Sequence, residues 1–107
     1  TLRDYARIGL FALNPRVSQG GNKVLPDNWL QQSTTGSDSF VGYGYSWWLM
    51  QPEVFAAEGV FGQIIWIDRR HDLVIALHSA WPAAWGPDLE AELMAFIGAV
   101  TAQLAEE

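Results

Sequence analysis

Few of the 107 residues carry side chains that could do chemistry: one lysine, two histidines, twelve carboxylates and no cysteine. The lack of cysteine excludes disulfide frameworks, thiolate metal sites and a cysteine nucleophile. Ser46 lies in Gly44-Tyr45-Ser46-Trp47-Trp48, which follows a G-x-S-x-G nucleophile elbow for three positions. Trp48 then replaces the last glycine and no helix follows, so Ser46 reads as a strand serine. His71 falls in a polar turn and reads as solvated. His78 ends a strand and reads as a satisfied core or edge residue, so neither suggests a metal site. Asp68 and Asp72 flank the same turn and read as turn residues bonding their own backbone rather than an acid–base pair. Glu58 reads as a solvated edge glutamate before an apolar strand. Lys23 follows no glycine spacing that would cradle a phosphate. The rings of Tyr43, Tyr45, Trp47, Trp48, Trp66 and Trp81 read first as core, with one or two facing a ligand. No complete catalytic set exists in these residues, and nothing calls for a metal or cofactor.

The elements that would position these groups follow from periodicity and punctuation. Thr1 to Asn14 reads as an amphipathic helix capped by Thr1 and Asp4, with Leu2, Tyr5, Ala6, Gly9 and Leu13 on one face. Asn14-Pro15 stops it, and Val17 to Lys23 reads as a loop. Pro26 suits a first helical position, and Asp27 to Gln32 form a short second helix presenting Trp29 and Leu30. Ser33 to Ser39 is a polar loop. Gly42 to Leu49 reads as an aromatic strand, broken by Gln51-Pro52-Glu53. Val54 to Glu58 is a short approach to a hairpin, Val60–Ile67 and Leu73–His78, turned at Asp68 to Asp72. Pro82 turns the chain again. Gly86-Pro87-Asp88 opens a last helix whose stripe of Leu89, Leu93, Phe96, Ile97, Val100 and Leu104 packs on the sheet. The expected class is α+β, with an antiparallel sheet of three strands packed by a C-terminal helix.

Composition narrows the function classes. Half the residues are hydrophobic, 17% are charged, and the net charge is −6. That balance suits a globular chain and gives no basic face for nucleic acid. No apolar run approaches the length of a membrane-spanning helix, and the N-terminus lacks a signal-peptide pattern. Compartment stays open.

The hairpin is apolar on both sides. Val60, Ile64 and Trp66 oppose Phe61, Ile65 and Ile67, and Leu73, Ile75 and Leu77 oppose Val74 and Ala76. A sheet wetted on one face alternates apolar with polar residues, and this one does not. The last helix covers one face, which leads to the expectation that protein outside these residues completes the sheet.

Three stretches carry a family resemblance. Leu2-Arg3-Asp4-Tyr5-Ala6-Arg7-Ile8-Gly9-Leu10, running on to Val24-Leu25-Pro26-Asp27-Asn28-Trp29, resembles a helix–loop–helix of the serine β-lactamase and penicillin-binding-protein superfamily. Gly42-Tyr43-Gly44-Tyr45-Ser46-Trp47-Trp48 resembles its GYGYxWW strand. Gly59-Val60-Phe61-Gly62-Gln63, through Ile67-Asp68 to Asp72-Leu73-Val74-Ile75, resembles its GxxGQ…D…DLVV hairpin. The likeness is strongest to class C-like esterases and 6-aminohexanoate-dimer hydrolases, and it covers nearly the whole chain in the right order.

The resemblance implies acyl transfer through a Ser-x-x-Lys serine, with a Tyr-x-Asn-type box moving protons. Neither box occurs here. The third box would fall at Ala57-Glu58-Gly59, where only Gly59 matches. The backbone N–H that follows it helps form the family's oxyanion hole, and by position that is Val60. Glu58 and Gly59 would then border the cleft, with Tyr43 and Tyr45 as further aromatics beside it. The expected reading is the C-terminal segment, residues 1–107, of a β-lactamase-like serine hydrolase domain. Its partner would be the N-terminal part of the same fold, and its substrate a small amide or ester. The segment alone would be inactive. The family includes both exported and cytoplasmic members. The alternative is a self-sufficient small α+β binding module using the tryptophan-rich sheet.

Overall fold

The computed structural model describes residues 1–14 and 22–106. Among the described residues, three helices and four strands run in the order α1 (Leu2–Leu13), α2 (Trp29–Ser33), β1 (Trp48–Gln51), β2 (Val54–Gly59), β3 (Gln63–Asp68), β4 (Leu73–Leu77) and α3 (Pro87–Ala105). The strands form one antiparallel sheet in sequence order, β1-β2-β3-β4. The α+β class stands, with four strands rather than three.

The extra strand is β2, expected only as an approach. It pairs with β3 along its whole length, from Val54 opposite Asp68 to Gly59 opposite Gln63. Conversely, Val60 and Phe61 belong to the turn between β2 and β3, not to a strand. Phe61 takes a φ of 62° and Gly62 a φ of 90°, which no strand accommodates. The aromatic segment before β1 is mostly irregular. It contributes one bridge, Tyr43 to Trp48, and Ser46 bends it with a φ of 68°. Pro26 precedes α2 rather than opening it, and Asn28 is the N-cap. The loop expected over Val17–Lys23 falls, up to Gly21, outside the described residues.

Both sheet faces are covered from within the chain. Val54, Ala56, Ile64 and Trp66 pack with Ile97, Leu93 and Met94 of α3. Phe55, Ile65 and Ile67 pack with Ala12 and Leu13 of α1, Leu30 of α2, and Trp47. Ile67 is fully buried, which contributes about 1.5–3 kcal/mol. Within these residues α1 lies against one apolar face of the sheet and α3 against the other. The parity holds for Ile64 and Trp66 against Ile65 and Ile67, but not for Val60 and Phe61, both exposed in the turn.

Thr1 and Asp4 form the expected capping box on α1: the Thr1 hydroxyl accepts from the Asp4 N–H at 3.2 Å. Gly9 is where α1 meets the sheet. A Cβ there would come within 2.5 Å of Val74 Cγ1 and 3.0 Å of Ile65 Cγ2, so glycine sets the helix–sheet distance. Leu2 and Tyr5, expected on the buried face, are largely exposed. So are Phe96 and Leu104 on α3, where Ile97 alone is fully buried.

The turn joining β3 to β4 is organised by Asp68, which is fully buried. One carboxylate oxygen accepts from the Arg70 backbone N–H at 2.9 Å and from Arg70 Nε at 3.1 Å. The other takes Arg70 Nη2 at 3.0 Å and lies 2.8 Å from His71 Nδ1. Burial pushes the Asp68 carboxyl up, but the bonds from Arg70 and His71 outweigh it and hold the group below the usual carboxylate range. Arg70 also reaches Gln51 at 3.2 Å, and Arg69 pairs with Glu53 at 3.0 Å, tying this turn to the one between β1 and β2. The turn reading of Asp68 is therefore correct but incomplete. His71 is a hydrogen-bond partner of Asp68 rather than a solvated side chain.

Candidate functional site

The opposite end of the sheet is built differently. β1 pairs with β2 only from Val54 to Ala56. Past that point, among the described residues, Ala57, Glu58 and Gly59 have a strand on one side alone. Successive residues of an antiparallel strand direct their N–H and C=O to opposite neighbours. Either Glu58, or both Ala57 and Gly59, therefore present backbone groups to the open side. An open strand edge of this kind is a template for an extended ligand backbone.

A cavity of about 600 Å³ lies across this end of the sheet, lined by Ala57, Glu58 and Gly59 of β2, by Gln63, Ile64 and Ile65 of β3, by Leu77, His78 and Ser79, and by Tyr5 of α1. Tyr5 and His78 meet edge to face with ring centroids 4.8 Å apart, closing the wall on the α1 side. His78 is thus an exposed edge residue stacked on Tyr5. Burial raises the Glu58 carboxyl above its ordinary value, and Glu90 in the first turn of α3 adds to this by like charge and by a hydrogen bond. Among the described residues, no three His, Cys, Asp or Glu side chains converge as a metal site.

Several contacts hold the turn after β2 in place. Gly62 supports the tip of the Trp81 indole, and a Cβ there would come within 2.5 Å of Trp81 Nε1 and Cε2. The Phe61 N–H donates to the Ala84 carbonyl at 2.8 Å, and the Trp81 N–H to the Phe61 carbonyl at 3.2 Å. The Gln63 carboxamide donates to the Ser79 carbonyl at 2.7 Å and accepts from the Ser79 N–H at 3.0 Å. Its nitrogen also lies 3.4 Å from the Val60 carbonyl oxygen. Among the described residues, the Val60 N–H has no hydrogen-bond partner, and Val60 is largely exposed. One backbone donor at the end of an open strand edge is thus left available, one residue beyond Gly59, which lines the cavity.

A family model described as Beta-lactamase matches residues 1–99. The chain belongs to the β-lactamase family. It is 31% identical over 97 residues to a 6-aminohexanoate-dimer hydrolase of Paenarthrobacter ureafaciens, an alignment covering 77% of this chain and 24% of that protein. The chain thus spans about a quarter of the length of this curated relative. The resemblance read from the three motifs is established at the level of the family, and with it membership of a serine hydrolase family.

Within this β-lactamase-family chain, Glu58, Gly59 and Val60 are brought together at the end of β2. Tyr43 and Tyr45 are not with them. They line a separate groove of about 750 Å³ with Asn28, Gln31, Gln32 and Phe40. Sequence reasoning passed over Gln63 and Trp81 as holders of the turn. The signal for Gln63 was its place beside Gly62 at a strand start. Trp81 left no local signal, since its contact with Gly62 spans the length of the hairpin.

Proposed function

We propose that residues 1–107 are the C-terminal segment of a β-lactamase-like serine hydrolase domain and form one wall of its active-site cleft. The nucleophilic serine and its lysine lie in the N-terminal part of the same fold, outside these residues. The complete protein hydrolyses a small amide or ester through an acyl-serine, in which the serine oxygen attacks the carbonyl and water later releases the acid. This segment contributes the Val60 N–H, which stabilises the oxyanion as negative charge develops on the carbonyl oxygen. Ala57 to Gly59 form the edge along which the substrate lies, with Glu58 as the nearest charged side chain. The observation that carries this reading is the open edge of β2 past Ala56, ending in the free Val60 N–H and bordering the cavity of about 600 Å³.

A fluorophosphonate or β-lactam probe tests it. The intact protein is labelled at a serine outside these residues, and the 107-residue chain alone is not labelled. Covalent labelling of the isolated chain would refute the assignment.

A further inference from the structure

We propose that the groove between α2 and the aromatic segment before β1 is a second ligand site, and that it takes a neutral saccharide. Nothing in the cleft reading uses this groove, and the two stand independently.

Its lining combines three exposed carboxamides, Asn28, Gln31 and Gln32, with the rings of Phe40, Tyr43 and Tyr45. Among the described residues, no carboxylate, ammonium or guanidinium lines it. Among the described residues, none of the three carboxamides has a hydrogen-bond partner. The rings, by contrast, are held. Tyr43 packs against Trp48 at 4.7 Å and Phe40 at 6.5 Å, and Tyr45 leans on Trp29 at 5.8 Å. The Tyr45 N–H donates to the Ser33 carbonyl at 2.8 Å, fixing the backbone that carries the ring. Aromatic wall and amide row are therefore presented from two segments bonded to each other.

That chemistry selects its ligand. Each carboxamide offers one acceptor and one double donor, which matches adjacent hydroxyls that both donate and accept. Aromatic faces carry negative potential that meets the C–H face of a sugar ring. A charged ligand finds no counter-ion among the described lining residues, and burying it unpaired would be costly. The volume of about 750 Å³ is within the usual range for small-molecule sites. An extended peptide would also meet the carboxamides, but its flexible backbone offers the rings of Phe40, Tyr43 and Tyr45 no flat C–H face.

Calorimetric titration of the intact polypeptide carrying these residues tests the proposal. The probes are cellotetraose, maltotetraose and tetra-N-acetylchitotetraose, with acetyl-tetraglycine amide as the competitor chemistry, each to about 10 mM so that a Kd near 1 mM is saturated. At least one saccharide is expected to bind saturably. Gln31→Ala and Tyr45→Ala, both at exposed positions, are each expected to weaken it about tenfold with the thermal midpoint unchanged. The proposal is overturned if no saccharide saturates, if binding survives the double substitution, or if the peptide amide binds and the saccharides do not.

Discussion

At one end of the β2–β3 ladder Val54 pairs with Asp68, and at the other Gly59 pairs with Gln63. The first end is closed by charge. Asp68 is buried under Arg70 and His71, and Arg69 and Arg70 reach across to Glu53 and Gln51 on the neighbouring turn. The second end is closed by neutral amides and an indole: Gln63 on Ser79, and Trp81 on Gly62. Among the described residues, it leaves a strand edge uncovered and a backbone donor free. The difference separates what holds the sheet from what the sheet offers. The charged end spends its polar groups on one another, whereas the neutral end fixes a turn and keeps the Val60 N–H available.

That contrast can be broken by substitution, and the largest effect belongs to the charged end. Asp68→Ala is expected to destabilise the fold by about 3 kcal/mol, since it removes several charge-assisted hydrogen bonds from a buried acceptor. Urea unfolding measures this. The sign of the pH dependence follows from the lowered carboxyl. The stabilisation is fully present above the ordinary aspartate value of about 3.9 and is lost as pH falls through the lower folded value. The variant should therefore lose less stability than the parent below about pH 4.

Val60→Pro, which removes the N–H, is expected to slow acylation of the intact protein by a fluorophosphonate about 100-fold. Val60→Ala keeps the N–H and is expected to stay within a few-fold of the parent rate. Equal losses in both would move the oxyanion donor elsewhere. Gln63→Ala is expected to cost about 1–2 kcal/mol by chemical denaturation, because two hydrogen bonds to one backbone unit are lost together. The smallest effect is Glu58→Gln. A raised carboxyl opposes folding once ionised, so this substitution should slightly increase the thermal midpoint above about pH 5 and leave it unchanged below. A midpoint that falls at neutral pH would show that the Glu58 charge is compensated.

The same two ends differ in how far the sequence revealed them. Helix α1 and its capping box were readable from Thr1 and Asp4, and α3 from Gly86-Pro87, because caps are local chemistry. The alternation of Ile64 and Trp66 against Ile65 and Ile67 named both core faces correctly. β2 was underread because Ala56, Ala57 and Glu58 are poor strand formers that tertiary pairing overrides. Val60 and Phe61 were overread for the converse reason: their β propensity is high, yet Trp81 packed on Gly62 holds the chain in a turn there. The bonds of Asp68 with Arg70 and His71 are only two and three residues apart in sequence, but burial gives them their weight, and burial was not visible. Glu58, Gly59 and Val60 were put forward through family motifs, while the separation of Tyr43 and Tyr45 from them required the fold.

The clasp between Gln63 and Ser79 has a dynamic consequence. Both carboxamide atoms of one side chain engage one backbone unit beyond the end of β4, so the turn at Val60 and the segment after Leu77 cannot open separately. In amide hydrogen exchange the Ser79 N–H should be protected although it lies outside any strand, and it should exchange together with the neighbouring Phe61 N–H as one cooperative unit. Motion at the base of the cavity would then reach the free donor as a rigid displacement, without local melting.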